Sequence, residues 1–303
     1  MDILAVADER AGVRNQAQGL AEALATQVGG VARLLVVSSR DRKRFAPITD
    51  TVPDVAVGCG RAAQAELVGL RRRGAKAVYV QDPRSGYGRF DLVVAPRHDG
   101  VMASNAIAMT GGPHRVDAER LGEAAKAWGE LATLPSPKVA VMVGGKSGRH
   151  DFDADVLAAH TKAMAEVLAL GGSLMISVSR RTDDVIADGF ARLAERHPTR
   201  VRVYRGDGPN PYLGFLAHAE VVLVTEDSAN MLVEACATGV PVFRLPMAGS
   251  AGKFGALYAD LEDKCHVRRW DGSFAAESYA PLEETARVAG ILAERLQLTV
   301  SRT

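Results

Sequence analysis

The sequence has few cysteines and no strong excess of charge of either sign. Three cysteines, Cys59, Cys236 and Cys265, are scattered over 303 residues, and no two of them form a C-x-x-C pair. An odd, scattered set argues against a disulfide framework and against a structural zinc site. The formal net charge is +1, so no strong electrostatic field favours nucleic acid as a partner.

Long hydrophobic runs are also missing from the sequence. No apolar stretch approaches the roughly 18 residues of a membrane-spanning helix, and the opening residues MDILAVADER lack the basic and apolar regions of a secretory signal. No H-x-x-x-H pair or carboxylate cluster has the spacing of metal ligands. We therefore expect a cytoplasmic protein with no transmembrane segment, no metal and no resident cofactor. Peripheral attachment to a membrane stays open.

The content of apolar residues and their pattern indicate an α/β protein. Apolar residues make up 47% of the chain, and its length suits two α/β domains of about 150 residues each. Short β-branched runs alternate with stretches of helical periodicity, which is typical of parallel sheets with right-handed crossovers. Pro135 and Pro137 bracket Ser136 and predict a linker.

The most informative stretch, residues 219–246, reads AEVVLVTEDSANMLVEACATGVPVFRLP. A buried strand over residues 221–224 precedes a polar turn, and Asp227 or Ser228 fits the N-cap of a helix that Gly239 ends. The helix N-terminus then opens at the carboxyl end of a strand, which suits an anion such as a diphosphate. Glu234, further along the helix, suits sugar hydroxyls better. The alternative is an ordinary βαβ unit with a well-formed N-cap.

The pattern T-E-D-S-x-N-M-x-x-E-A-x-x-x-G-x-P-V in this stretch resembles the donor-binding segment of GT-B glycosyltransferases. That group includes the lipid-II-forming N-acetylglucosaminyltransferase. The resemblance implies that Ser228 and Asn230 contact the diphosphate of a nucleotide-sugar, with Thr225 and Asp227 beside them. It also implies that Glu234 binds the ribose.

Four further motifs are similar to those of the "elongated mitochondria" mitochondrial-fission family, a GT-B-like group of bacteria and plants. They are R-A-G-V-R-N-Q-A-Q-G-L from Arg10, Q-D-P-R from Gln81, F-D-L-V-V-A-P-R-H-D from Phe90 and V-G-G-K from Val143. The resemblance implies an α/β fold with two Rossmann-like domains facing across a cleft. The predicted domains are residues 1–134, residues 138–280 as the nucleotide-sugar domain, and residues 281–303 as a final helix that crosses back to the first domain.

Residues 140–147 match the Walker A motif G-x-x-x-x-G-K-S only in part, because Ala140 occupies the position of the first glycine. The residues before Gly144 are predicted as strand, which leaves too little loop to wrap a triphosphate and disfavours ATP or GTP hydrolysis. Gly144 and Gly145 could still let backbone N–H groups approach a diphosphate, with Lys146 as a point charge. A strand-to-helix turn with a solvated lysine is the alternative.

Two other loops carry candidate binding residues. After a strand of the second predicted domain, we expect Arg180 to neutralise phosphate and Arg181 to face solvent. In the first domain, residues 8–18 form the first βα loop, which in GT-B enzymes binds donor phosphate or acceptor. Gly12 would allow close backbone approach there, and Asn15 could donate a hydrogen bond.

Inverting sugar transfer needs a general base that takes the proton of the acceptor hydroxyl. His98, with Asp99 beside it, follows a predicted strand and could be that base; Asp82 and His114 are further candidates. The opposing interpretation is a polar loop that closes the fold. The sequence thus predicts a metal-independent inverting glycosyltransferase with a nucleotide-diphosphate-sugar donor and an unidentified hydroxyl acceptor. The alternatives are a non-enzymatic adaptor for organelle or membrane fission with a protein partner, and a nucleotide-sugar epimerase.

Overall fold

The structure is a computed structural model that describes residues 1–38 and 49–298. Its contacts divide the chain into two compact units. The first unit comprises Met1–Arg115 together with the chain from Glu283, and the second unit comprises Val116–Leu282.

The elements of both units follow one another in chain order. The strands are β1 (Asp2–Ala7), β2 (Val31–Val36), β3 (Val55–Cys59), β4 (Lys76–Val80), β5 (Leu92–Pro96), β6 (Ala106–Met109), β7 (Lys138–Val143), β8 (His150–Asp151), β9 (Ser173–Val178), β10 (Val201–Tyr204), β11 (Val221–Thr225), β12 (Val242–Leu245), β13 (Ala248–Gly249) and β14 (Arg268–Arg269). The helices are α1 (Ala11–Val28), α2 (Ala63–Arg72), α3 (Ala118–Ala127), α4 (Ala154–Ala169), α5 (Asp184–Arg196), α6 (Tyr212–His218), α7 (Ala229–Cys236), α8 (Phe254–Cys265) and α9 (Glu284–Arg295).

The first unit is built on a six-stranded parallel sheet in the order β2-β1-β3-β4-β5-β6. Helices cover both of its faces. Along β1, Ile3 packs in the core that contains Leu20 of α1, whereas Leu4 packs in the core that contains Leu67 of α2. Both faces of the strand are therefore buried, which explains why its sequence is a continuous apolar run and does not alternate.

Helix α1 begins earlier than the sequence indicates. Its first residue is Ala11, and the side chain of the N-cap residue Arg10 binds the buried carboxylate of Asp8, with Nη2 2.6 Å from Oδ2. The connection between β1 and α1 is therefore very short. Gly12 and Asn15, predicted to lie in a ligand-binding loop, are part of the first turns of α1.

The last helix, α9, belongs to the first unit. Val288 and Leu292 are buried in the core that α1 covers. In the first turn of α9, the buried Glu284 accepts a 2.7 Å hydrogen bond from the backbone N–H of Thr110, just beyond β6. Arg287 donates to the same carboxylate at 2.7 Å. Helix α9 thus completes a core that β1 and α1 begin.

The second unit has its own six-stranded parallel sheet, in the order β10-β9-β7-β11-β12-β14. The chain moves outward from β7 through β9 to β10 and then returns to place β11 on the other side of β7. These two strands pair from Val221↔Val139 to Val224↔Met142. The strand order therefore reverses between β7 and β11, as in a doubly wound Rossmann sheet. A short antiparallel pair, β8 with β13, lies apart from this sheet.

Helix α3 packs in the second unit, although the sequence predicts the first domain to extend to residue 134. It contacts α6, and Trp128 at its C-terminal end lies against Gly214, where an added Cβ would be 2.6 Å from the Trp128 side chain. Leu131 and Leu134 are buried in the same core as α6 and α7. Because of these contacts the chain enters the second unit at Val116, before the proline-flanked segment.

The predicted α/β class with two Rossmann-like units is confirmed by the two parallel sheets. Among the helices of residues 1–38 and 49–298, none is long and apolar enough to cross a membrane. In the same residues, no group of three or more His, Cys, Asp or Glu side chains is arranged to hold a metal ion.

Replacing Glu284 should destabilise the first unit. We expect Glu284→Ala to lower its free energy of unfolding by about 2 kcal/mol, because the buried hydrogen bond to Thr110 and the partner of Arg287 are both lost. Urea unfolding followed by circular dichroism measures the change. Glu294→Ala, on the exposed side of the same helix, is the control and should stay within about 0.5 kcal/mol of wild type. Equal losses in the two variants would contradict the role of Glu284.

Candidate functional site

The candidate site of the second unit lies where the strand order reverses, between β7 and β11. In open α/β sheets, ligands bind outside the carboxyl ends of the strands at such a reversal. Gly144 and Gly145 follow β7, and Asp227 and Ser228 lie between β11 and helix α7. The sheet thus brings together two loops for which the sequence predicts diphosphate contacts.

Asp227 is the centre of a hydrogen-bond network between these loops. Its carboxylate accepts from the backbone N–H of Gly145 (3.0 Å), the hydroxyl of Thr225 (2.7 Å) and Nη2 of Arg181 (3.1 Å). The Thr225 hydroxyl accepts in turn from the backbone N–H of Gly144 (2.7 Å). The Asp227 side chain is fully buried, and a buried carboxylate requires such donors because its charge is otherwise unfavourable away from water.

Close contacts within the protein account for both glycines of the β7 loop. A Cβ at position 144 would lie 2.1 Å from Oδ1 of Asp227, and a Cβ at position 145 would lie 2.2 Å from the carbonyl oxygen of Arg181. The backbone N–H groups predicted to approach a diphosphate are already hydrogen-bonded inside the protein. In this structure Gly144, Gly145, Thr225 and Asp227 therefore join the two loops, and their role as ligand contacts stays a prediction.

The start of helix α7 is more accessible than this network. Ser228 is the N-cap, and its Oγ accepts a 3.4 Å hydrogen bond from the backbone N–H of Met231. Ser228 and Asn230 are half-buried, and the side chain of Arg181 is 51% exposed. The positive end of the helix dipole and a guanidinium group are thus both available at the carboxyl edge of the sheet.

The two arginines after β9 are both exposed, and they differ in their contacts with the protein. A backbone hydrogen bond from the N–H of Thr182 to the carbonyl of Ser179 (3.0 Å) closes a turn whose corner residues are Arg180 and Arg181. Arg181, expected to face solvent, reaches Asp227. Arg180, expected to neutralise phosphate, is exposed. Arg181 therefore places a cation beside Asp227, and the phosphate role of Arg180 stays a prediction.

The loop that follows β7 does not have the strand–loop–helix geometry of a P-loop. It continues into β8, which pairs with β13, and α4 begins only at Ala154 with Asp153 as its N-cap. Nζ of Lys146 lies 2.5 Å from Oδ2 of Asp151, and both side chains are well exposed. The hydrogen bond between them raises the pKa of Lys146 and lowers the pKa of Asp151. Lys146, predicted as a point charge for phosphate, is thus paired within its own loop.

Glu234 lies in the second half of α7 and is 9% exposed. The hydroxyl of Tyr212, the first residue of α6, donates a 2.5 Å hydrogen bond to its Oε2. Burial raises the pKa of Glu234 to about 7, while this hydrogen bond lowers it. Burial and the nearby carboxyl group raise the pKa of Tyr212 well above its ordinary value. The sequence does not predict this contact, because Tyr212 lies in no motif that resembles the family.

The predicted catalytic residues lie in the first unit, after β4 and β5. Asp82 accepts two 2.7 Å hydrogen bonds, from the backbone N–H of Arg84 and from the hydroxyl of Tyr87. His98 and Asp99 share a 3-10 turn, with Nε2 of His98 4.0 Å from Oδ1 of Asp99 and side chains that are 6% and 12% exposed. Asp82 thus stabilises its own loop, whereas His98 and Asp99 place an imidazole beside a carboxylate. The catalytic roles of all three stay predictions.

The chain is similar to proteins from plants and bacteria over most of its length. Mitochondrial fission protein ELM1 of Arabidopsis thaliana is 30% identical over 301 residues, which cover 89% of this chain and 68% of that protein. An uncharacterized protein of Rickettsia prowazekii (strain Madrid E) is 23% identical over 362 residues, which cover 99% of this chain and 100% of that protein.

Among solved structures, the fold is similar to that of UDP-GlcNAc 2-epimerases. The enzyme of Methanocaldococcus jannaschii in complex with UDP-GlcNAc and UDP has a TM-score of 0.56 at 11% identity, over 97% of this chain and 100% of that chain. The enzyme of Neisseria meningitidis bound to UDP-GlcNAc has a TM-score of 0.54 at 11% identity, over 98% of this chain and 100% of that chain. At this identity the likeness concerns the fold, which is GT-B-like as predicted.

A family model described as mitochondrial fission ELM1 matches residues 11–296, which is nearly the whole chain. The match includes all four motifs that resemble this family, apart from Arg10, the first residue of the first motif. Together with the 30% identity to the plant protein, this match shows that the chain belongs to the mitochondrial fission ELM1 family.

Proposed function

We propose that this protein binds a nucleotide-diphosphate-sugar at the carboxyl edge of the second sheet. The observation that carries the proposal is the reversal of strand order between β7 and β11, beside which helix α7 begins and Arg181 lies. A diphosphate there would meet the positive end of a helix and a half-exposed guanidinium group. Ser228 and Asn230 would contact the diphosphate, and Arg181 takes the role first expected of Arg180.

Glu234 would bind the ribose of the same ligand. It lies six residues after Ser228 on α7, which is about 9 Å along the helix axis. Its carboxylate would accept hydrogen bonds from ribose hydroxyls, in competition with the hydroxyl of Tyr212. Because its pKa is about 7, this interaction would depend on pH in the physiological range.

The reaction that we favour is transfer of the sugar to a hydroxyl acceptor with inversion and without a metal ion. The start of α7 and Arg181 would stabilise the departing diphosphate electrostatically. His98, beside Asp99, would take the proton of the acceptor hydroxyl. Epimerisation of the sugar is a further candidate, since UDP-GlcNAc 2-epimerases have a similar fold. Product analysis with labelled UDP-GlcNAc separates the two, because transfer requires an added acceptor and epimerisation does not.

A non-enzymatic adaptor in membrane fission is the candidate from another class. It is favoured by the identity to the Arabidopsis fission protein and by the internal hydrogen bonds of Gly144 and Gly145. Affinity capture with wild type and Glu234→Ala distinguishes it from the nucleotide-sugar hypothesis. A stable protein partner bound equally by both forms, with no binding of UDP, GDP or CDP sugars, would favour the adaptor.

Two neighbouring arginines provide a matched test of the binding site. By isothermal titration calorimetry with UDP-GlcNAc, we expect Arg181→Ala to weaken binding at least tenfold, because a cation is lost and the charge of Asp227 is no longer compensated. Arg180→Ala removes the same charge from the next position and should change affinity less than twofold. Thermal unfolding of both variants reports any loss of folded protein. Equal weakening in both, or no binding to wild type, would refute the assignment.

The pH dependence of binding tests the role of Glu234. Its carboxyl group is protonated below a pKa of about 7, and ribose hydroxyls donate to the ionised form. Affinity for UDP-GlcNAc should therefore rise about tenfold from pH 6 to pH 8 as the group ionises. The diphosphate diester of UDP-GlcNAc keeps its charge over this range. Calorimetry on Glu234→Gln should give affinities that do not change with pH, and a wild-type-like rise in that variant would count against the hypothesis.

A further inference from the structure

Helices α4 and α5 leave a groove of about 740 Å³ between them in the second unit. Both helices cover the same face of the sheet, because residues of each are buried in one core with β7 and β9. The groove walls are mostly apolar. They include Leu157, Met164 and Leu168 of α4 and Val185, Ile186 and Phe190 of α5. No residue that lines this groove belongs to the candidate site between β7 and β11.

Apolar side chains are unusually exposed at one end of this α4–α5 groove. Val185 is 73% exposed and Leu157 is 37% exposed, and both lie near the N-termini of their helices. A single exposed aliphatic residue is normal on a protein surface. Val185 and Leu157, however, border the same groove, and together they extend its apolar lining to the protein surface.

Arginines gather at the other end of the groove. Arg192, Arg196 and Arg200 line it at and beyond the C-terminal end of α5. Within residues 1–38 and 49–298, none of the three guanidinium groups has a carboxylate partner. Arg205, nearby in the sequence, does form such a pair, with Nη2 2.7 Å from Oδ1 of Asp188. The groove lining thus carries positive charge at one end, and no aspartate or glutamate is among its residues.

We propose that the α4–α5 groove binds a single-chain lipid with an anionic head group. Its volume is within the range of about 300–1,000 Å³ that is typical of small-molecule sites. The apolar walls would bury the alkyl chain, and the arginines would bind a carboxylate or phosphate head. An acidic amphipathic helix could also enter an apolar groove. The segregation of the arginines at one end favours a lipid, because such a helix carries its acidic side chains along its whole length.

Alkyl amphiphiles that share one chain and differ in the head group test this proposal. In calorimetry below the critical micelle concentration, dodecyl phosphate should bind in a one-to-one complex. Its affinity should be at least tenfold higher than that of dodecyl maltoside or dodecyltrimethylammonium. Decyl phosphate, which is two methylenes shorter, should bind about tenfold more weakly than dodecyl phosphate. Equal affinities for the three head groups, or no binding of dodecyl phosphate, would overturn the proposal.

Variants locate the binding within the groove. Arg196→Glu should weaken dodecyl phosphate binding at least tenfold and leave dodecyl maltoside binding unchanged. Lys162→Glu makes the same charge change on α4 outside the groove lining and should have little effect. Ala165→Trp places a large side chain at an exposed position of the wall and should abolish binding of the alkyl chain. Equal effects of the two charge reversals would contradict the assignment, as would an acidic helical peptide that binds where dodecyl phosphate does not.

Discussion

The hydrogen-bonded, buried carboxylate of Asp227 is the interaction on which the carboxyl edge of the second sheet depends. Its donors come from the carboxyl ends of three neighbouring strands, β9, β7 and β11. A carboxylate removed from water is tolerated only when hydrogen bonds and an opposite charge compensate it. The three segments must therefore keep one arrangement relative to each other, and this arrangement fixes both where α7 begins and where Arg181 lies.

The same network limits the kind of anion that this edge can bind. In a P-loop, the backbone N–H groups of a glycine-rich loop surround a phosphate. In this protein the N–H groups of Gly144 and Gly145 are bound to Thr225 and Asp227, so a carboxylate of the chain itself lies where a phosphate would be expected. The N-terminus of α7 and the half-exposed guanidinium of Arg181 lie beside this network and stay accessible. For the ligand proposed above, that combination would suit a diphosphate bound at the edge of the sheet better than an enclosed triphosphate.

The sequence predicts the fold better than it predicts the contacts of the site, because fold signals are local and site contacts are not. The alternation of strands and helices and the Ser228 N-cap depend on adjacent residues and could be found in the sequence. The start of α1 could not, because an arginine at the N-cap gives no capping signal. Arg180 and Arg181 are chemically identical, and only the position of Asp227 in space distinguishes them. The bond between Tyr212 and Glu234 joins residues 22 positions apart.

Burial of the Glu234 carboxyl group lowers the stability of the second unit at high pH. Its pKa rises from 4.5 to about 7 on burial, so the folded state retains a proton that the unfolded chain releases within that pH range. The free energy of unfolding therefore falls as pH rises through this window, by a limiting value of about 3 kcal/mol. A glutamine would keep an acceptor for Tyr212 without this loss. A buried carboxylate that lowers stability is a feature often found at functional sites, where residues needed for binding are kept although they destabilise the fold. Ribose hydroxyls are donors that would compensate its charge.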